Sequence, residues 1–273
     1  MKKWITGALA ILLGVVSITI PFSGVHEAEA KTTDDKLKIV TTIFPEYEWT
    51  KAVLGECESE AELTMLLDNG TDLHSFQPAV KDIMEVSSCD LLIYVGGESD
   101  AWIEDALKSA QNKDMKTINL MEVLGDMIKE EETVEGMQGG EHEHDHDEED
   151  EKEYDEHVWT SPANAGQICG TIASVLEDED PDNADTYAAN CSKYIKELDK
   201  LDEYIRQIVT ESPRDTIVFG DRFPVRYFIE EYGLKYYAAF PGCSQENEAS
   251  AATIAFLEDK VREQNIPVIF KME

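Results

Sequence analysis

The chain has 273 residues and carries 58 Asp and Glu against 23 Lys and Arg, a formal net charge of −35. That surplus excludes a binder of nucleic acid, whose phosphates it would repel, and favours cationic ligands. Once a leader is set aside, about 240 residues remain, enough for two compact lobes.

Met1-Lys2-Lys3, an apolar run from Ile5 to Ile20 and the small-residue stretch ending Ala28-Glu29-Ala30 follow the order of a secretory signal. Residues 1–30 are therefore expected to be a signal peptide, with the mature chain starting at Lys31 outside the cytoplasm. An uncleaved membrane anchor is the alternative. No cysteine lies near the cleavage region, so the bacterial lipid-anchor signal is missing. A secreted, periplasmic or cell-surface protein is expected.

From Leu37 the chain alternates short apolar strands with amphipathic helices. Strands are predicted at 37–44, 61–67, 90–95 and 116–120, and helices at 46–54, 78–87, 99–110 and 121–129. This rhythm predicts an α/β lobe of βαβ units on a parallel sheet. Residues 36–180 are assigned to it, with an acidic histidine-rich loop at 130–156 and a helix at 162–176. From Ala184 to Thr210 there is neither Pro nor Gly, and Tyr187, Cys191, Tyr194, Ile195, Leu198, Leu201, Ile205 and Ile208 recur at helical spacing. A linking helix over 182–211, long enough to join two lobes, is predicted. The alternation then resumes: strands at 216–219, 235–239 and 268–270, helices at 224–232 and 249–264. Residues 213–273 form the second lobe, and because Glu273 directly follows a predicted strand, this lobe is expected to be incomplete.

Histidine concentrates in one place. Of six in the chain, four fall between His142 and His157, three of them alternating with acids as His142, His144 and His146. Imidazole is the commonest side-chain ligand for borderline metals and binds when neutral. So acidic a stretch cannot build a core, so it reads as a mobile loop that gathers metal ions, or else as a solvated linker with incidental histidines. His74 and His157 are different: each lies in a loop just before a helix, and His74 follows a parallel strand. Ligands of open α/β sheets bind at that edge. The five cysteines lack Cys-x-x-Cys spacing. Cys57 with Cys89 and Cys169 with Cys191 are the pairings to test, against the alternative of buried free thiols.

At these residues the chain resembles the metal-specific solute-binding proteins of bacterial ABC transporters, the zinc and manganese group. Asp72-Leu73-His74-Ser75-Phe76-Gln77-Pro78 is similar to that family's first-ligand loop. Tyr94-Val95-Gly96-Gly97-Glu98 with Trp102 resembles the strand end and helix that follow. His157-Val158-Trp159 with Pro162 and Asn164 resembles the second-ligand loop, and a His/Asp/Glu-rich insertion before it is typical of the zinc branch. The resemblance covers about Leu37 to Glu273. It implies two (β/α) lobes with parallel sheets, joined by one long backbone helix, with metal held in the cleft between them. It also implies a receptor acting as a monomer with the membrane permease of an ABC transporter, taking Zn2+, or Mn2+ as the alternative. The third ligand position departs from the family's His or Glu. Asp221 is the nearest substitute, with a helix cap or a pair with Arg222 as its other reading, and Glu246 and Glu248 are weaker candidates.

Two other functions compete with an uptake receptor. An extracytoplasmic zinc hydrolase would use His74, His157 and Asp221 plus a water. The chain has neither His-Glu-x-x-His nor Gly-x-Ser-x-Gly, so no catalytic residue is assigned and no enzyme is expected. A surface adhesin on the same fold is the other alternative. Imidazole-rich sites suit zinc better than manganese, which prefers oxygen.

Overall fold

Alternation along the first strand, β1 (Leu37–Thr41), sets the architecture. Leu37 and Ile39 enter one apolar cluster while Val40 enters another on the opposite face. In the computed structural model, which describes residues 36–68, 70–139, 153–246 and 248–272, β1 is joined by β2 (Ala61–Met65), β3 (Leu91–Tyr94) and β4 (Lys116–Asn119). All neighbours are parallel, in the order β2-β1-β3-β4. Helices cover both faces, as a parallel sheet requires. α1 (Phe44–Leu54), α4 (Leu120–Leu124) and α5 (Pro162–Glu179) pack on one side through Trp49, Val53, Leu124, Ile168 and Ile172. α2 (Val80–Ser88) and α3 (Ala101–Lys108) close the other through Val86 and Ile103. The predicted leader and the loop histidines His142, His144 and His146 lie outside the described residues.

The linking helix is α6 (Ala184–Glu211), whose 28 residues span about 42 Å at 1.5 Å per residue. Its first half belongs to the core of the first lobe, where Tyr187 and Cys191 are buried. Its second half projects: Leu201, Tyr204 and Ile208 are exposed. There it meets the second lobe through polar contacts, with the Tyr232 hydroxyl donating to Asp202 at 3.0 Å and Arg206 facing Glu231. That lobe comprises β5 (Thr216–Arg222), α7 (Arg226–Tyr232), β6 (Lys235–Phe240) and α8 (Ala251–Glu263), with β5 and β6 parallel. Among the described residues, no helix is long and apolar enough to cross a membrane.

Three expectations need correction. The predicted strand at 268–270 is a single parallel bridge between Phe270 and Phe219. The start of the acidic loop does not stay with the first lobe. Val134 and Met137 pack with Phe219, Phe223, Ile229 and Ala238, and Gln138 N–H donates to Ala239 O at 2.8 Å. An apolar pair inside an acidic run is thus buried against the second lobe. All five cysteines are free thiols. Cys57 and Cys89 sit in separate clusters on opposite faces of the sheet, while Cys169 and Cys191 share one cluster without bonding.

The asymmetry of α6 and the burial of β3 give a paired expectation. Leu92→Ala, at a fully buried site, should destabilise the protein by about 2–5 kcal/mol. Leu201→Ala, on the projecting half of α6, should change stability by no more than about 0.5 kcal/mol. Urea denaturation followed by circular dichroism measures both.

Candidate metal centre

The strand order reverses direction between β1 and β3, and the crevice at their carboxyl ends is where ligands of such sheets bind. The loop after β2 folds over this crevice and carries His74 on a short 3-10 turn, Leu73–Ser75. Asp72 caps the turn, its Oδ1 accepting His74 N–H at 3.0 Å, while Leu73 is buried beneath it. His157 arrives from the loop leading into α5. Behind it Asn164 donates to Val158 O at 3.0 Å, and the Ser161 hydroxyl caps the helix by accepting Asn164 N–H.

The two rings face each other with Nε2 to Nε2 at 3.1 Å. Each is held from behind. His157 Nδ1–H donates to Asp155 Oδ1 at 3.0 Å, and His74 Nδ1 lies 3.0 Å from Ser99 Oγ with Glu156 Oε2 at 3.5 Å. A carboxylate only accepts, so the proton of His157 is on Nδ1 and its Nε2 presents a lone pair. With His74 Nδ1–H turned to Ser99 and Glu156, two lone pairs converge on one point, an arrangement that suits a cation between them. Tetrahedral zinc at roughly 2.0–2.1 Å from each nitrogen would place the two nitrogens about 3.3 Å apart. The observed separation is close to that.

Gly97 shows how tightly the support is built. With φ at +75°, a Cβ there would stand 2.4 Å from Glu156 Oε1, the oxygen that accepts Ser99 N–H at 2.9 Å. The surroundings are acidic and mostly dry. Burial pushes the Asp100 carboxyl up to about 7 and raises Glu156 and Glu46 as well. Asp100 Oδ1 and Glu156 Oε2 are buried without a hydrogen-bond partner. Burial, reinforced by His157, lowers His74 to about 4, which keeps it in its neutral, ligating form.

Asp221 does not join this group. β5 runs past its predicted end at Phe219 to Arg222, and the carboxylate of Asp221 is taken by backbone. Its Oδ1 accepts Arg222 N–H at 2.8 Å and its Oδ2 accepts Met272 N–H at 3.2 Å. Arg222 takes the place at the cleft instead, 2.6 Å from Asp72 Oδ2. Burial alone would raise Asp72, but its hydrogen bond and charge contact with Arg222 outweigh that and lower it. Glu246 turns to the side-chain amide of Gln138, and Glu248 is exposed. The third group near the histidines is Cys243, whose Sγ lies with a nitrogen of each imidazole inside 4.8 Å. The signal that could have found it is position: Gly242-Cys243 closely follows β6, at the carboxyl end of a strand of the second sheet.

A cleft of about 490 Å³ opens beside the group, lined by His74, Ser99, Glu131, Glu153, Tyr154, Glu156 and Cys243. The acidic segment leaves and rejoins at its rim, where Glu130 and Tyr154 form an antiparallel bridge and Glu131 N–H donates to Glu153 O at 2.9 Å.

Comparison with known proteins follows the same lines. A family model described as zinc-uptake complex component A, periplasmic, matches residues 39–273. The zinc-binding lipoprotein AdcA of Streptococcus pneumoniae is 32% identical over 244 residues, covering 88% of this chain and 46% of that one. The chain thus spans under half the length of that relative. The high-affinity zinc uptake system protein ZnuA of Bacillus subtilis is 31% identical over 271 residues, covering 98% of this chain and 81% of the relative. The crystal structure of the Zn(II)-bound ZnuA-like domain of S. pneumoniae AdcA superposes with a TM-score of 0.66 at 29% identity, over 88% of this chain and 79% of that one. The chain belongs to the family of zinc-uptake complex component A.

Proposed function

We propose that this chain is an extracytoplasmic receptor that captures Zn2+ between His74 and His157 and delivers it to the membrane permease of an ABC transporter. The observation that supports it most is the 3.1 Å approach of two Nε2 atoms whose Nδ1 atoms are already engaged. Such outer partners fix ring orientation and raise ligand basicity in metal sites. The role is transport without chemistry, since a receptor needs only reversible ligation. The names of the relatives carry zinc, and nitrogen donors favour zinc over manganese. His142, His144 and His146 act as a secondary, weaker collector.

Calorimetry with zinc on the mature protein tests this reading. His74→Ala with His157→Ala should lower the affinity of the tight site by at least about 100-fold, roughly 2.8 kcal/mol at 1.4 kcal/mol per decade, with the circular dichroism spectrum unchanged. Retained tight binding in that double variant would refute it. Asp221→Asn should leave the affinity within about threefold, because its carboxylate serves backbone N–H groups rather than the cleft.

Removing residues 141–150 should abolish the weaker zinc equivalents and leave the tight one. Loss of the tight equivalent would mean that the segment itself supplies a primary ligand.

A further inference from the structure

Resting on the reading of His74 and His157 as a zinc site, we propose that Cys243 is the third ligand to the ion, making a site of two nitrogens and one sulfur that is closed from the second lobe. Three independent features of the structure converge on this residue. The first is geometry. The Cys243 Sγ and a nitrogen of each imidazole all lie within 4.8 Å of one another. Zn–S of about 2.3 Å and Zn–N of about 2.05 Å in a tetrahedron need an S-to-N distance of about 3.6 Å. The approach required is therefore on the order of 1 Å, within the reach of a rotating side chain.

The second is the way the backbone is brought there. Gly242 lies so close that a Cβ would meet Phe223 O at 2.8 Å, and Asp155 Oδ2 and His157 Cε1 at 3.1 Å. The residue before the thiol thus has to lack a side chain for the turn to press against the His157 loop. Cys243 N–H is then tied to Glu131 Oε1 at 2.9 Å, which anchors the thiol's own residue in place. The third is what the rival donors are doing. Asp221 is committed to two backbone N–H groups, and Arg222, with a positive charge, cannot ligate. From the second lobe, Cys243 is the one soft donor among the described residues that reaches the histidines.

Ligation is a proton exchange and not a redox step. The S–H bond of Cys243 breaks heterolytically, its electron pair forms the bond to zinc, and the proton leaves to water. One consequence is geometric. His74 and His157 belong to the first lobe and Cys243 to the second, so an ion held by all three couples capture to closure of the cleft.

Cobalt(II) is the probe that reports sulfur directly. Titration of the full chain with Co2+ should produce the near-ultraviolet sulfur-to-cobalt charge-transfer band at one equivalent. Cys243→Ser should bind cobalt without the band and weaken zinc by about 100-fold, while Cys243→His should restore tight zinc binding, again without the band. The other four cysteines, all buried, remain in these variants, so survival of the band in Cys243→Ser would overturn the assignment. So would tight cobalt binding by the wild-type chain with no band at all, and that outcome would leave the two-histidine site standing. If the wild-type chain bound neither metal tightly, the zinc reading beneath this proposal would fail with it.

Discussion

Everything about the candidate centre depends on one constraint: two imidazoles are forced to present Nε2 to the same point because their Nδ1 atoms are already engaged. Asp155 fixes one ring and Ser99, backed by Glu156, fixes the other. Either ring, left free, would rotate or exchange tautomers, and the site would have to be ordered by each ion at the expense of its affinity. The βαβ framework provides the rigidity. The Ser99 loop springs from the carboxyl end of the buried strand β3, and Asp155 and Glu156 lie just ahead of α5, which packs on the same sheet. Gly97 lets the backbone of one loop come within contact of Glu156 from the other. The folding energy of the first lobe thus maintains a site that would be unfavourable to assemble from solution.

The second lobe is attached more lightly. Its contacts with the first include Arg222 with Asp72, Lys129 with Glu230 and the Tyr227 hydroxyl donating to Asp155 O at 2.8 Å, with Tyr227 itself buried in the first lobe's apolar cluster. The exposed Lys129–Glu230 pair contributes roughly 0–1 kcal/mol, so that part of the contact is separable at modest cost. The stretch 130–139 adds a strap, anchored by Val134 and Met137 on the second lobe and by the Glu130–Tyr154 bridge near the site. A receptor has to hold an ion and also give it up. In the proposed receptor, His74 and His157 on one lobe would hold the ion, and a donor on the lightly attached second lobe would let it be released.

Much of the fold was legible because its signals are local. Strands buried on both faces read as short apolar runs, and an unbroken 28-residue periodicity can only be a long helix. His74 and His157 could be singled out from position, each in a loop just before a helix, and the structure brings their rings together. Asp221 misled because one residue of strand length decides which of Asp221 and Arg222 faces the cleft, and chain pattern does not resolve strand ends that finely. Cys243 was obscured by chemistry. In an extracytoplasmic chain cysteines invite reading as disulfides, and only the folded chain shows this thiol beside two histidines 86 and 169 residues away. The crossing of residues 130–139 to the second lobe was hidden as well, since two apolar residues in an acidic run carry no periodic signal.

Zinc K-edge X-ray absorption on the full chain loaded with one equivalent of zinc tests the central claim most directly. The account predicts a first shell with two imidazole nitrogens at about 2.0–2.1 Å, marked by the multiple scattering of their rings, and one sulfur at about 2.3 Å. A shell made only of oxygen, with no imidazole scattering, would contradict it.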